Sequence, residues 1–213
     1  MTELKKWHRT TIGQRVVDKL QKNNFEATYC ENRKEALAYI MDNIPEGTRI
    51  GVGGSATLRE IGLVSGLRDK GFVLFDHNEP GLTLEEKTEM RYKQQTSDLF
   101  ISSTNAITLK GELVNRDGLG NRVSAMMFGP KKVLVVAGIN KVVKDFEEAD
   151  QRIKMLAAPL NTKRHELPNP CLKTGQCADC QSSSRICNMT TIIHRCPPLT
   201  KIQVIIIGED LGF

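Results

Sequence analysis

An α/β fold, with a mainly parallel sheet and helices on both faces, is predicted by three features of the sequence. Apolar runs of strand length alternate with segments whose apolar residues recur at helical spacing. Capping patterns that start helices recur between those runs. A glycine-rich turn, Gly51-Val52-Gly53-Gly54-Ser55, runs straight out of one strand into one helix. Strands that repeatedly alternate with helices pair in parallel, because a parallel pair needs a long crossover between its members.

From Thr10 to about Asn24, Ile12, Val16 and Leu20 fall four residues apart on one helical face. Ala27 to Cys30 is a short strand. Asn32, with Glu35 three residues on, caps a second helix whose buried stripe is Ala36, Leu37, Ile40 and Met41, and Pro45 and Gly47 end it. Arg49 to Val52 follows as a strand. Thr57 with Glu60, Thr83 with Glu86 and Asp145 with Glu148 repeat the capping-box spacing. Between them lie the strands Phe72 to Phe75, Leu99 to Ser102 and Val133 to Ala137, and Ile202 to Ile207 closes the series. Ala106 to Leu109 and Glu112 to Asn115, either side of Lys110-Gly111, predict a β-hairpin inserted in the sheet, and a helix from Arg122 to Phe128 follows it. Residues 159–198 have little periodicity and five prolines, so they read as a Cys-rich, loop-rich insertion before the last strand of one domain, 1–213.

Composition narrows the function classes. At 39% apolar and 26% charged, with no apolar run near the ~20 residues of a membrane span, neither a membrane protein nor a disordered chain is indicated. The polar stretch Met1 to Thr11 lacks the apolar core of a secretory signal, so a cytoplasmic location is expected. The net charge of +5 is dispersed, and three Tyr and one Trp are few for stacking bases. A small anionic metabolite is therefore the expected partner, with neither nucleic acid nor membrane; a homo-oligomer stays open.

Four loops supply the candidate ligand residues. Gly53, Gly54 and Ser55 offer backbone N–H groups and a hydroxyl, without the G-x-G-x-x-G or P-loop patterns. Ser102-Ser103-Thr104-Asn105 adds hydroxyls and an amide. Asp117, Asn121 and Arg122 combine a carboxylate, an amide and a guanidinium in one glycine-rich loop, and Asn140 and Lys141 close the Val133 strand. In a doubly wound sheet all four emerge at the same carboxyl edge, where ligands bind. Glu112 is the candidate reactive carboxylate and Asp117 the other; no nucleophile elbow and no Ser/His/Asp set accompanies them.

Five of the six cysteines lie near the C-terminus. Cys171, Cys177, Cys180 and Cys187 have the spacing Cys-x5-Cys-x2-Cys-x6-Cys, with His194 and Cys196 following. Four thiolates suit zinc or an iron–sulfur cluster, although the spacing matches neither a bacterial ferredoxin nor a paired zinc ribbon, and free thiols are the alternative.

Taken together, Gly51 to Ser55, Thr104 to Thr108, Gly111 to Asn115, Gly120 to Val123, Phe128 to Val133, Gly138-x-Asn140-Lys141 and Ile207 to Phe213 resemble the lactate-utilisation (LUD) domain family. The resemblance implies a fold related to the sugar-phosphate isomerase and coenzyme A transferase superfamily. It also implies an association with oxidation of lactate to pyruvate, in a complex whose partner subunits carry iron–sulfur clusters. Two other readings stand beside it. One is an isomerase or acyl/CoA-transferring enzyme, since transferases of that superfamily use a glutamate nucleophile. The other is a non-catalytic assembly subunit with a structural zinc knuckle.

Overall fold

Two valine- and isoleucine-rich strands, β7 (Lys132–Gly138) and β10 (Lys201–Ile207), lie side by side in the interior of the main sheet of a computed structural model that describes residues 2–213. With β1 (Glu26–Cys30), β2 (Arg49–Val52), β3 (Val73–Asp76) and β4 (Leu99–Ser102) they form six parallel strands in the order β1-β10-β7-β4-β2-β3. Alternate side chains serve opposite faces, as the two-residue period of a strand requires. Val133, Val135, Val204 and Ile206 pack with Val16 and Leu20 of α1 (Glu3–Lys22) and Met126 of α6 (Asn121–Met127). Leu134, Val136, Ile205 and Ile207 pack instead with α2 (Arg33–Asp42), α3 (Ala56–Glu60) and α4 (Leu63–Asp69). The α/β prediction, with helices on both faces, therefore holds. No helix among the described residues is long and apolar enough to cross a membrane.

The hairpin departs from expectation. β5 (Ala106–Thr108) and β6 (Leu113–Asp117) leave the main sheet and build a second one, β8-β5-β6-β9, with β8 (Val142–Val143) and β9 (Met189–Ile193). Thr104 fixes the departure, its hydroxyl donating to the carbonyls of Ala106 and Val114 at 3.1 and 3.0 Å. β9 lies inside the segment predicted to be loop-rich; its register opposite β6 buries Ile193, so the segment is anchored by pairing where periodicity was silent. Behind this sheet run α7 (Phe146–Arg152), a π-helical stretch Ile153–Ala157 and α8 (Ala158–Arg164), and the short α9 (Cys171–Thr174) follows.

The capping box at Thr83 forms reciprocally at the start of α5 (Leu84–Gln95), and Asn32 and Asp145 cap α2 and α7. The box predicted at Thr57 does not form. Ser55 caps α3 instead, accepting from the Leu58 amide, while Glu60 accepts from the Gly212 amide at 2.8 Å. Thr57 is fully buried, and its hydroxyl serves the interior of the site.

Candidate functional site

β3 and β4 lie on opposite sides of β2, so the connections leaving β2 and β4 diverge and open a crevice at their carboxyl ends. Gly53 makes that junction. Its amide donates to the Ile101 carbonyl at 2.8 Å, and a Cβ there would meet Ser102 Oγ at 2.7 Å, so only glycine lets the two strand ends close. Above them a cavity of about 780 Å³ is lined by Gly54, Ser55, Ser103, Asn105, Asp117, Asn121, Arg122 and Lys141, with α8 and the Cys-rich segment as its outer wall. Seven Lys and Arg side chains face two carboxylates, Glu79 and Asp117, around this cavity. The lining therefore carries more positive than negative side chains.

Convergence of the four loops is as predicted, but the roles inside them divide. Arg122 is largely consumed by the protein itself. Its Nη1 donates to the Ser103 carbonyl at 3.1 Å and to Asn115 Oδ1 at 2.6 Å, and its Nη2 to Asn105 Oδ1 at 3.2 Å and the Arg116 carbonyl at 2.9 Å. Nε stands 3.3 Å from Asp117 Oδ2, while Asp117 Oδ1 accepts from the Gly120 amide at 3.1 Å. Arg122 and Asp117 thus tie the open end of the hairpin to the loop after β4, and as a pair they add neither net charge nor free hydrogen-bond donors to the cavity. Asn140 is likewise structural, since its side-chain amide exchanges hydrogen bonds with Gly212 and Leu211 and holds the final segment against the sheet. Gly53 and Asn140 stand behind the cavity wall, whereas Asn121 lines it directly.

Lys141 is different. A 3-10 turn, Ile139–Lys141, swings it inward from the end of β7, and its side chain is buried to 2% exposure. Its Nζ lies 3.0 Å from Thr57 Oγ1 and 3.0 Å from Ser103 Oγ, and no carboxylate pairs with it among the described residues. Burial, together with the charges of Arg152, Arg122 and Arg164 and against the opposing pull of Glu60, lowers its pKa to about 7.

Sequence reasoning missed the rest of the wall. His77 follows β3 just as Gly53 follows β2, so the carboxyl-edge rule applied to the Phe72–Phe75 run would have found it. Burial, with Arg91 adding to it, lowers its pKa to about 4, and its Nδ1 meets Gln94 Nε2 at 2.8 Å. Arg91 on α5 has a buried Nε without a hydrogen-bond partner, and Asn161 on α8 a buried Oδ1 likewise. Arg164 stacks over the Phe213 ring with its guanidinium carbon 5.5 Å from the centroid. Nothing in the local pattern marks Arg91, Asn161 or Arg164, because their convergence is made by tertiary packing.

Glu112 is not beside the carboxyl edge. It sits at the closed tip of the hairpin, where Oε1 meets His194 Nδ1 at 2.7 Å and Oε2 accepts from Thr108 Oγ1 at 2.9 Å. A hairpin whose open end faces the cavity carries its tip away from it, and Glu112 does not line the cavity. The four cysteines are free thiols. Cys171 Sγ donates to Thr162 Oγ1 at 3.3 Å, the Asp179 amide donates to Cys177 Sγ at 3.4 Å, and Cys187 alone of the four reaches the cavity wall. Burial, then the neighbouring Cys177, pushes the Cys187 thiol up. Among the described residues no three Cys, His, Asp or Glu side chains gather to hold a metal ion. As arranged, these sulfurs do not form a thiolate cage for zinc or for an iron–sulfur cluster.

Residues 13–207 match the LUD domain. The chain is also similar in structure to a DUF162 family protein from Deinococcus radiodurans, with a TM-score of 0.55 at 15% identity over 94% of this chain and 98% of that one. No curated protein matches the sequence.

Proposed function

The chain belongs to the LUD-domain family, and from that premise we propose that it binds a small organic acid of the lactate and pyruvate class in the cavity at the carboxyl edge of its parallel sheet. The observation that carries this reading is the cavity's charge at a topological switch point: Lys87, Arg91 and Arg164 line it with no carboxylate ion-paired to them among the described residues, whereas Arg116, Arg122 and Arg185 are paired with Asp150, Asp117 and Asp179. Arg91 and Arg164 supply the carboxylate anchor, because Arg122 is already occupied and they retain free N–H groups at the wall. Asn161, whose buried Oδ1 lacks a donor, receives the hydroxyl of a 2-hydroxy acid. Oxidation of such an acid to its 2-oxo form releases two electrons and two protons; iron–sulfur partner subunits would take up the electrons and solvent the protons. The family's association with lactate supports that setting.

Titration calorimetry with lactate, pyruvate and an uncharged analogue, lactamide, tests the reading. The two acids are expected to bind and the amide to bind at least about tenfold more weakly, a loss of about 1.4 kcal/mol. Arg164→Gln is expected to weaken both acids by a similar factor. Equal binding of acid and amide, or no binding of either acid, would sink it. Affinity capture of the tagged chain from its native cells tests the setting, and recovery of no iron–sulfur subunit would remove that part alone.

A further inference from the structure

We propose that Lys141 is a nucleophile that captures a small 2-oxo acid in the carboxyl-edge cavity as a Schiff base. The inference rests on the acid-binding reading and deepens it by naming the substrate's reactive group, a ketone carbon next to a carboxylate.

The geometry around Nζ comes first. Thr57 Oγ1 directs its own proton to the Leu211 carbonyl at 3.3 Å, and Ser103 Oγ directs its proton to the Thr104 carbonyl at 3.4 Å. Both hydroxyls therefore accept from Lys141, each at 3.0 Å. A neutral amine has two N–H bonds to give and one lone pair left. With both donors fixed on Thr57 and Ser103, the remaining valence of Nζ is the one available to the cavity that Lys141 lines. An ammonium would instead hold a third N–H there, buried and without a carboxylate partner, a costly arrangement.

Electrostatics point the same way. The charged groups that act on Nζ are the guanidinium groups of Arg152, Arg122 and Arg164, against the single carboxylate of Glu60, and Glu60 is itself engaged by the Gly212 amide. Burial and these neighbours bring the Lys141 pKa down to about 7, so a large fraction of the amine is neutral at neutral pH. Desolvation beside other cations is a recognised means of activating a lysine toward carbonyl carbon. The backbone closes tightly behind this group: a Cβ on Gly212, whose φ is +57°, would clash with Thr57 Oγ1, one of the two hydroxyls that accept from Nζ. The guanidinium groups that depress the amine also favour a carboxylate next to it, so an oxo acid is selected over a simple ketone or aldehyde.

In the step itself, the Nζ lone pair forms a bond to the ketone carbon while the C=O π pair moves to oxygen. Two protons reach that oxygen, one released from nitrogen and one from solvent, and it leaves as water. The product is a protonated C=N bond between Lys141 and the former ketone carbon. No oxidant or reductant is consumed.

The test is reductive trapping of the full chain. Protein is incubated with pyruvate and cyanoborohydride near pH 7.5, digested, and mapped by mass spectrometry. The reduced carboxyethyl adduct is expected on the Lys141 peptide, several hundredfold above ordinary exposed lysines, because at pH 7.5 roughly three-quarters of an amine of pKa about 7 is free against about a thousandth of an ordinary lysine. Acetone should trap far less than pyruvate, and lactate should protect. Lys141→Met is expected to bind pyruvate without trapping it, and mapping of the wild-type chain decides the question even if that variant does not fold. Calorimetric binding of pyruvate with no Lys141 adduct, or with adducts spread evenly over surface lysines, would overturn the nucleophile and leave the acid-binding reading standing. Absence of pyruvate and lactate binding altogether would remove that reading, and the nucleophile with it.

Discussion

Arg122 Nε stands 3.3 Å from Asp117 Oδ2 at the open end of the β5–β6 hairpin, and this ion pair holds the second sheet over the carboxyl edge of the first. The other four N–H groups of Arg122 end on Ser103, Asn115, Asn105 and Arg116, so one side chain joins the loop after β4 to both strands' ends. Its side chain is 16% exposed and that of Asp117 is 9% exposed. Replacing it with Met leaves a largely buried carboxylate without its cation and removes a donor from each of four acceptors, of which Asn105 Oδ1 and the Ser103 carbonyl keep another, and is expected to lower stability by about 3 kcal/mol. Lysine recovers little, because an ammonium cannot reproduce the planar fork. Urea unfolding measures both, and a loss under about 1 kcal/mol for Arg122→Met would show that the hub is dispensable.

Gly53 makes a prediction of the opposite kind, through crowding. A methyl group there would stand 2.7 Å from Ser102 Oγ and 3.0 Å from Ser102 Cβ, with the Ile101 carbonyl 3.3 Å away. Gly53→Ala is expected to destabilise by about 1–3 kcal/mol. Because most of the clash is with one side chain, Ser102→Gly should recover part of that loss in the double variant. Additive losses would mean that backbone contacts, and not Ser102, set the constraint.

Local patterns made the main sheet legible and left the cavity wall half read. The runs at Leu99, Val133 and Ile202 became buried strands within a residue of their predicted bounds, since apolar length and period survive any tertiary context. The Thr57–Glu60 pair had the spacing of a capping box yet failed to make one, because burial beside Lys141 gave Thr57 better partners. Arg122 and Asp117 line the cavity, but their mutual engagement depends on contacts that spacing does not encode. His77 was readable from the same edge rule that found Gly53. Arg91, Asn161 and Arg164 were not, because they reach the cavity from helices that pack over it only in three dimensions.

Glu112 allows carboxylate chemistry at the hairpin tip to be separated from acid binding. Its carboxylate is held by His194 and Thr108 at the hairpin tip, and the His194 side chain is 68% exposed. Glu112→Gln is expected to leave pyruvate affinity within about twofold, and to cost on the order of 1 kcal/mol of stability, since Glu112 itself is only 18% exposed and its bond to the buried Thr108 hydroxyl can be kept by the amide oxygen. A large fall in affinity would place the hairpin tip in contact with the ligand and contradict the present geometry.

The depressed pKa of Lys141 has a consequence for stability as well as for reactivity. The unfolded chain keeps this proton up to about the ordinary value of 10.5, whereas the folded chain releases it near 7. Between those values the unfolded state binds more protons, so the contribution of Lys141 makes folding more favourable as pH rises; below 7 both states are protonated and the burial penalty is present in full. His77 behaves alike in a lower window, from about 4 in the folded chain to 6.5 unfolded. At the alkaline end Cys30 works in the other direction, since burial raises its thiol from 9.0 to about 11 and stability is lost as the unfolded thiol ionises. The clean interval for Lys141 is therefore pH 7 to 9, read as the difference between wild type and Lys141→Met in urea unfolding. Wild type should gain on the variant by up to about 1.4 kcal/mol per pH unit across that interval. A constant difference would mean that the folded protein holds Lys141 charged throughout, and the amine would then lack the free lone pair that carbonyl capture requires.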